Sequence, residues 1–301
     1  MAKSFIVKAI RVDVTLSEGT FDGKNNTKSY EKLQIDVNIE KPGQPDQNKA
    51  KVHIYNMLPD DMRQMTTLAF KPLKTQKNLI AVYAGDEQNG MSQCFAGEIT
   101  TAFADYSGHP TIKMSIEAAA GAYPALKASG PVAVQGTASA AQLVAQFAKE
   151  AGYGFENKGV SSSVKNAVFN GSPIEKARAV ANQVGAELLV DDNMMILLPY
   201  DKPRNGNAVL LADDTGMLGY PTFTNDGIKV KALYNPELEL GGLIEVKSEV
   251  PGAEGTWKIS KLTHNLSANS PTPGPWFSEM EASPLDAPPK EKSSSKTEKK
   301  K

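Results

Sequence analysis

The chain has 301 residues, enough for about two domains, and its 33 Lys and Arg nearly balance its 34 Asp and Glu, giving a net charge of −1. This balance argues against a general polyanion-binding surface of the kind that a strongly basic protein offers to DNA or RNA. A single cysteine excludes an intramolecular disulfide and a thiolate metal cluster, and three histidines leave little material for His-based catalysis.

The first 118 residues are predicted to form mostly strands. Apolar and polar residues alternate without a break over 33–40, and the same period of two recurs over 10–16 and 111–118. This alternation is typical of antiparallel strands with one buried and one solvent-facing side. A short helix is predicted over 59–69, because Pro59 suits the first helical position. Further short strands are predicted at 52–55, 79–83 and 95–103.

Residues 119–205 differ in composition, because alanine becomes frequent and helix signals appear. Apolar residues at helical spacing predict a helix over 138–151, which Gly152 should end. A second helix is predicted to begin after Ser172, with Glu175 as the reciprocal partner of a capping box. Two hairpin strands are then predicted at 186–190 and 194–199, around the turn residues Asp191, Asp192 and Asn193.

Residues 206–285 return to the strand pattern. Alternation over 228–232 and 244–247 predicts two strands, and a change of apolar phase within 255–266 predicts a β-bulge. Residues 286–301 are rich in Lys and Ser and lack apolar bulk, so we predict that they are disordered. This tail could touch nucleic acid or a membrane surface, although a solvated segment is the favoured interpretation.

These patterns predict a mainly β chain with an α/β insert, of the α+β class. A long sheet with several edges must cover them or pair them with other chains, which favours an assembly subunit over a free monomer. No stretch is predicted to span a membrane, because the longest charge-free window, 128–148, contains Gly, Pro, Ser and Gln. Lys8 and Arg11 interrupt the apolar residues near residue 1, so we expect that the chain has no signal peptide. We therefore expect it to be assembled in the cytoplasm.

The sequence has no Gly-rich phosphate loop, no H-E-x-x-H and no G-x-S-x-G. Asp191, Asp192 and Asn193, like Asp213 and Asp214, have the composition of cation ligands. Such residues commonly populate turns for backbone reasons, and the spacing and terminal Glu of a calcium loop are missing. The turn interpretation is therefore favoured over a calcium site.

His264 is predicted to lie in a strand as a satisfied, half-buried histidine, because no second histidine is near it in sequence. Cys94, between Gln93 and Phe95, is most simply a small strand residue. We therefore predict no catalytic, cofactor-binding or metal-binding residues, no cofactor and no enzymatic activity.

An ordered set of short segments resembles bacteriophage tail baseplate hub proteins, the tail-tube-like hub family of long-tailed phages. The resemblance covers about residues 5–282, and it departs from the family at Asp86, where an aromatic residue is usual. The segments are VHIYNML at 52–58, LIAVYAG at 79–85, QCFAGEI at 93–99, NGSP at 170–173, LLVDDNMMIL at 188–197, GYP at 219–221, LYNPEL at 233–238, GLIEVKS at 242–248 and GTWKISKLTH at 255–264.

The resemblance implies a structural subunit that forms a homotrimer between the sixfold tail tube and the threefold central spike. It implies a location in the virion baseplate, with the tail tube protein, the spike and other baseplate proteins as partners, and with DNA only in transit. It also implies three domains: a tail-tube-like β-barrel at 1–118, an α/β helix–strand module at 119–205 and a second tail-tube-like β-barrel at 206–285. The tail predicted from composition to be disordered, at 286–301, follows them.

Genome would pass through the channel of such a ring. Residues 1–289 carry a net charge of about −5, because the total of −1 includes +4 from the last twelve residues. We therefore expect a modestly acidic channel wall, which would not hold the phosphates of passing DNA.

Three alternatives remain open. The first is another tail component, namely a distal tail protein, a tube initiator or the hub of a phage-like injection machine. The second is a tail-associated cell-wall hydrolase, which would need two converging carboxylates with separated pKa values. The third is a carbohydrate- or receptor-binding β module, for which Trp276 and Phe277 offer the one aromatic cluster, although a strand start packed on the core explains them equally well.

Overall fold

A computed structural model describes residues 7–66, 78–122 and 129–285, which form a mainly β protein with short helices. The helices within these ranges are α1 (Pro59–Met65), α2 (Ala140–Ala151) and α3 (Pro173–Gln183). The strands are β1 (Lys8–Thr15), β2 (Thr27–Tyr30), β3 (Ile35–Lys41), β4 (Lys49–Tyr55), β5 (Leu79–Asp86), β6 (Gly90–Asp105), β7 (Lys113–Ala119), β8 (Val132–Ala133), β9 (Thr137–Ser139), β10 (Gly154–Asn157), β11 (Ser163–Lys165), β12 (Val168–Phe169), β13 (Ala186–Asp191), β14 (Met194–Pro199), β15 (Ala208–Leu211), β16 (Thr222–Thr224), β17 (Gly227–Leu233), β18 (Leu243–Val246), β19 (Gly255–Ala268) and β20 (Trp276–Ser283).

One sheet of 13 strands contains both predicted β regions. Its strands follow the order β16-β17-β20-β19-β3-β4-β7-β6-β5-β1-β2, and β15 and β18 branch from β19. The predicted alternation is confirmed in β1, β3 and β7, where apolar residues face a core and polar residues face outward. Because β3 and β19 pair over seven residues, the two β regions share one hydrogen-bonded surface.

Strand β19 joins two separate hydrophobic cores. Its first residues, Gly255–Lys258, pair with β18 and belong to the second β region. After the register shift between Ile259 and Lys261, the strand pairs with β3 of the first region. The bulge predicted from the phase change is therefore confirmed, and it redirects the strand from one core to the other. The first core gathers residues of β1, β3–β7 and α1, and the second gathers residues of β15 and β17–β20.

The mainly β class with an α/β insert is confirmed, whereas two closed barrels are not. Within the described ranges the main sheet is a path with open ends rather than a closed ring of strands. The first region curls so far that the Lys8 ammonium group lies 5.5 Å from the centroid of the Trp276 ring. In the described ranges no backbone hydrogen-bond pairing joins β1 to β19, so the strands of the first region do not close into a barrel.

Between the two β regions lies a module of helices and short strands. The predicted capping box is confirmed, because the Ser172 hydroxyl accepts from the Glu175 amide and the Glu175 carboxylate accepts from the Ser172 amide. Helix α2 ends at Gly152, whose φ of 81° suits a residue without a side chain. Helix α1 is shorter than predicted and ends at Met65, and the predicted residues 67–69 lie outside the described ranges.

Candidate assembly surfaces

Polar side chains share the outward side of seven neighbouring strands, which we call the polar face: β17, β20, β19, β3, β4, β7 and β6. Each of these strands turns most of its apolar residues toward a core, and cross-strand register places the intervening polar residues side by side. At about 4.8 Å between strands, seven strands span about 30 Å. Such a continuous polar sheet surface suits contact with water or a hydrophilic partner.

Charges on the polar face are balanced in sign. The Lys51–Glu117 pair lies at 3.7 Å, and the Lys261–Glu281 pair lies at 3.3 Å. Since lysines and acids alternate across strands, their fields cancel at short range. The face carries six lysines and six acids, namely Lys49, Lys51, Lys113, Lys229, Lys231, Lys261, Asp36, Glu40, Asp105, Glu117, Glu279 and Glu281.

A shallow groove of about 540 Å³ crosses this face beside the loop 270–275. Its floor includes His53, Asn38 and Lys51, and its rim includes Pro275. Burial lowers the pKa of His53, and the neighbouring Lys113 ammonium acts in the same direction. The groove is open to solvent, unlike the enclosed apolar pockets that commonly hold small molecules.

The turn residue Asp191 has a role that its sequence context does not reveal. Its carboxylate lies 2.7 Å from the Lys41 ammonium and 2.5 Å from the Arg204 guanidinium, and it accepts from the Asn48 amide at 3.0 Å. We call these four residues the anchor cluster. Burial alone would raise the pKa of Asp191, but the two cations outweigh burial and lower it to about 2.

The anchor cluster holds the module against the end of the first core. Asp192 extends this contact, because its carboxylate accepts from the Ala96 amide of β6 at 2.8 Å. The side chain of Asn48 also donates to the Val190 carbonyl. Asp191 is the last residue of β13 and Asp192 lies in the turn before β14, which agrees with their interpretation as hairpin-turn residues. Both carboxylates contact the first β region.

His264 and Cys94 lie near this docking site. His264 is more buried than predicted, at 3% exposure, and its Nδ1 lies 2.8 Å from the Ser278 hydroxyl. Burial lowers the pKa of His264 to about 3, and the nearby Lys41 ammonium acts in the same direction. Cys94 is buried in β6, as a small strand residue would be, and burial raises its pKa to about 12.

The other predicted candidates lie apart from this site. Asp213 and Asp214 are exposed in the turn after β15. Trp276 begins β20 and packs edge-to-face on Tyr234, with ring centroids 5.6 Å apart, while the Phe277 ring lies 3.6 Å from the Lys231 ammonium. Both aromatic residues are half-buried and take part in packing within the sheet.

Two further observations concern only the described residues. No group of three or more His, Cys, Asp or Glu side chains in these ranges is arranged to hold a metal ion. None of the helices in the described part of the chain has the length and apolar character needed to cross a membrane.

Comparisons with known proteins give one family and several similar folds. The model of the family "Baseplate hub gp41" matches residues 9–272. No curated protein sequence matches the chain.

Three solved structures share the fold. The 43 kDa tail protein of prophage MuSo2 from Shewanella oneidensis has a TM-score of 0.63 at 12% identity, over 92% of this chain and 98% of that one. A tail protein of Neisseria meningitidis MC58 has a TM-score of 0.61 at 10% identity, over 91% and 96% of the two chains. The E. coli c3393 protein, a component of the type VI secretion system, has a TM-score of 0.53 at 10% identity, over 94% and 74%.

Proposed function

Because the chain belongs to the baseplate hub gp41 family, we propose that three copies form a ring that joins the sixfold tail tube to the threefold central spike. The ring lies in the virion baseplate and is assembled in the host cytoplasm. Its partners are the tail tube protein, the spike and other baseplate proteins, and DNA meets it only in transit. The role is structural, with no catalytic step assigned to any residue.

The proposed ring uses two tail-tube-like units per chain, at 1–118 and 206–285, with the module 119–205 beside them. Separate hydrophobic cores support this division, because one is gathered mainly from residues 1–118 and the other from residues 206–285. Three copies would present six units to the tube and keep threefold symmetry for the spike.

The polar face is the proposed channel wall, and its charge balance is the observation that carries this role. A wall of unpaired lysines would bind phosphates and release counterions, which would hold DNA in place. Here each lysine-bearing strand has acids on a neighbouring strand, so the wall offers DNA no net attraction. From the net charge of residues 1–289 we expected a modestly acidic channel wall. The polar face instead carries six lysines and six acidic residues, so its formal charges sum to zero.

Changing the sign of this wall tests the proposal. We expect phage particles that carry Glu279→Lys with Glu281→Lys to eject DNA more slowly, because the net charge of the wall rises by four per chain, from two lost carboxylates and two gained ammonium groups. The matched control is Lys229→Glu with Lys231→Glu, which alters the neighbouring strand in the opposite direction. All four side chains point away from the second core, so both variants should remain soluble.

The measurement is single-particle genome ejection over a range of salt concentrations. The proposal predicts that the basic variant is slowed at low salt and recovers at high salt, while the acidic variant matches the wild type. Equal ejection rates for the wild type and the basic variant at low salt would contradict a wall role for this face.

The hub of a phage-like injection machine is the second candidate. Its support is the fold shared with the E. coli type VI secretion component. Nuclease-resistant DNA in purified particles distinguishes the two, because a phage hub must copurify with packaged genome.

A further inference from the structure

Three asparagines are followed directly by glycine, namely Asn89, Asn170 and Asn205. Asparagine is among the thermolabile residues of proteins, and a following glycine leaves its own backbone nitrogen uncrowded because it has no side chain. That nitrogen can attack the side-chain carbonyl carbon of the asparagine when hydrogen bonds hold neither group in place. Since the three pairs share one chemistry, their surroundings in the fold decide which of them reacts.

Hydrogen bonds hold two of these asparagines in place. The Asn89 side chain donates to the two carboxylate oxygens of Asp86 at 3.1 and 2.9 Å, and the main-chain amide of Asn89 donates to the same carboxylate. The Asn205 side chain is half-buried and donates to the Glu239 carboxylate at 3.3 Å. Either side chain must first leave its partner in order to react, which requires local opening of the fold.

Asn170 has different surroundings. It is exposed, and it lies in the short connection between β12 and α3. Within the described part of the chain, neither the Asn170 side chain nor the main-chain amide of Gly171 forms a hydrogen bond. The attacking nitrogen and the carbonyl carbon can therefore approach each other without breaking a contact of the fold.

The local fold requires a glycine at position 171. The φ of Gly171 is 102°, in the left-handed region, and an added Cβ atom would lie 2.5 Å from a carboxylate oxygen of Glu175. That carboxylate accepts from the Ser172 amide and so completes the capping box of α3. Glycine thus has a structural role here, and the same lack of a side chain leaves its nitrogen open to react with Asn170.

We infer that Asn170 is a self-modification site, at which the chain converts its own asparagine to aspartate and isoaspartate. The Gly171 nitrogen bonds to the side-chain carbonyl carbon of Asn170, the carbon–nitrogen bond of the side-chain amide breaks, and ammonia leaves with the proton of the Gly171 amide. Water then opens the resulting cyclic imide at either of its carbonyl groups. The conversion consumes water alone, and it does not depend on the proposed ring.

The two products change the module in different ways. Aspartate keeps the backbone and adds a negative charge before the start of α3. Isoaspartate routes the main chain through the former side-chain carbons, which lengthens it by one atom. The extra atom falls between Phe169, whose ring packs edge-to-face on Phe147, and the capping box at Ser172. Because both neighbours have fixed positions, isoaspartate loosens the first turn of α3.

Peptide mapping of the full chain by mass spectrometry tests the assignment, after incubation of the folded protein at mildly alkaline pH. Asn170 is expected to convert at least about tenfold faster than Asn89 and Asn205, because about 1.4 kcal/mol of local order slows a reaction tenfold. In concentrated urea, where the fold is lost, the three asparagines should convert at similar rates. Equal rates in the folded chain, or the same ranking in urea, would overturn the assignment.

Two variants separate the modification from its consequence. Asn170→Ser has no side-chain amide and should stay unmodified at this position, while Asn170→Asp, measured before incubation, is the matched control for the added charge. The isoaspartate form of the wild type is expected to exchange amide hydrogens in the first turn of α3 about fivefold faster, as loss of an N-cap worth about 1 kcal/mol gives. Unchanged exchange in the isoaspartate form, or equally fast exchange in incubated Asn170→Ser, would contradict the effect on α3.

Discussion

Replacing Asp191 with alanine is expected to lower the free energy of unfolding by about 3–5 kcal/mol. The carboxylate is 4% exposed and compensates the Lys41 ammonium at 2.7 Å and the Arg204 guanidinium at 2.5 Å. Removing it leaves both cations at a buried site without their shared partner. Against a typical total of about 5–15 kcal/mol, this loss would be a large share of the stability.

Chemical denaturation of the variant measures the effect, and Asp213→Ala is the matched control. Asp213 is exposed in a turn, so its replacement should change stability by less than about 0.5 kcal/mol. The double variant Lys41→Met with Asp191→Leu should be more stable than Asp191→Ala, because it removes one of the two buried cations, so that only Arg204 loses its partner. If Asp191→Ala proves as stable as Asp213→Ala, the anchor cluster does not hold the module.

Acidification from about pH 7 to about pH 4.5 is expected to cost about 2–3 kcal/mol of stability through His264. Burial, followed by the nearby Lys41 ammonium, lowers the pKa of His264 from 6.5 to about 3. The unfolded chain therefore binds a proton below about pH 6.5 that the folded chain excludes. Stability from this group is complete above the unfolded pKa and declines as the pH falls toward about 3.

Asp191 adds a second loss at lower pH. Its folded pKa of about 2 lies below the ordinary value of 3.8, so its contribution is present above that value and disappears between about pH 4 and pH 2. The two groups thus act in separate windows, with His264 first and Asp191 second.

Thermal or denaturant unfolding across this pH range tests the His264 effect. The variant His264→Gln keeps a polar group near Ser278 but carries no ionisable ring, so its stability should vary less between about pH 7 and pH 4.5 than that of the wild type. His109→Gln, at an exposed position, should retain the wild-type dependence. An unchanged pH dependence in His264→Gln would show that another group is responsible.

Local features of the fold were predictable from the sequence because they depend on neighbouring residues. The capping box at Ser172 and Glu175, the helix end at Gly152 and the turn at Asp191 each involve residues within a few positions of one another. Alternation of period two identified the strands because each has one buried side. The bulge in β19 was predictable for the same reason, since an extra residue reverses the apolar phase.

Long-range features could not be predicted in the same way. The pairing of β3 with β19 joins residues more than 220 positions apart. Several strands share the same alternation of polar and apolar residues, and no local pattern specifies which of them pair with each other. The anchor cluster escaped prediction because Lys41 and Asp191 are 150 positions apart, and an Asp in a hairpin turn looks the same whether or not a lysine is buried beside it. A signal was present in Lys41 itself, which occupies a core-facing position of the alternating strand β3.

The most direct test of the ring is the native mass of the full chain in solution over a range of concentrations. The account predicts a species of three times the 32.3 kDa chain mass. A single-chain mass at every concentration, or a six-chain species, would contradict it.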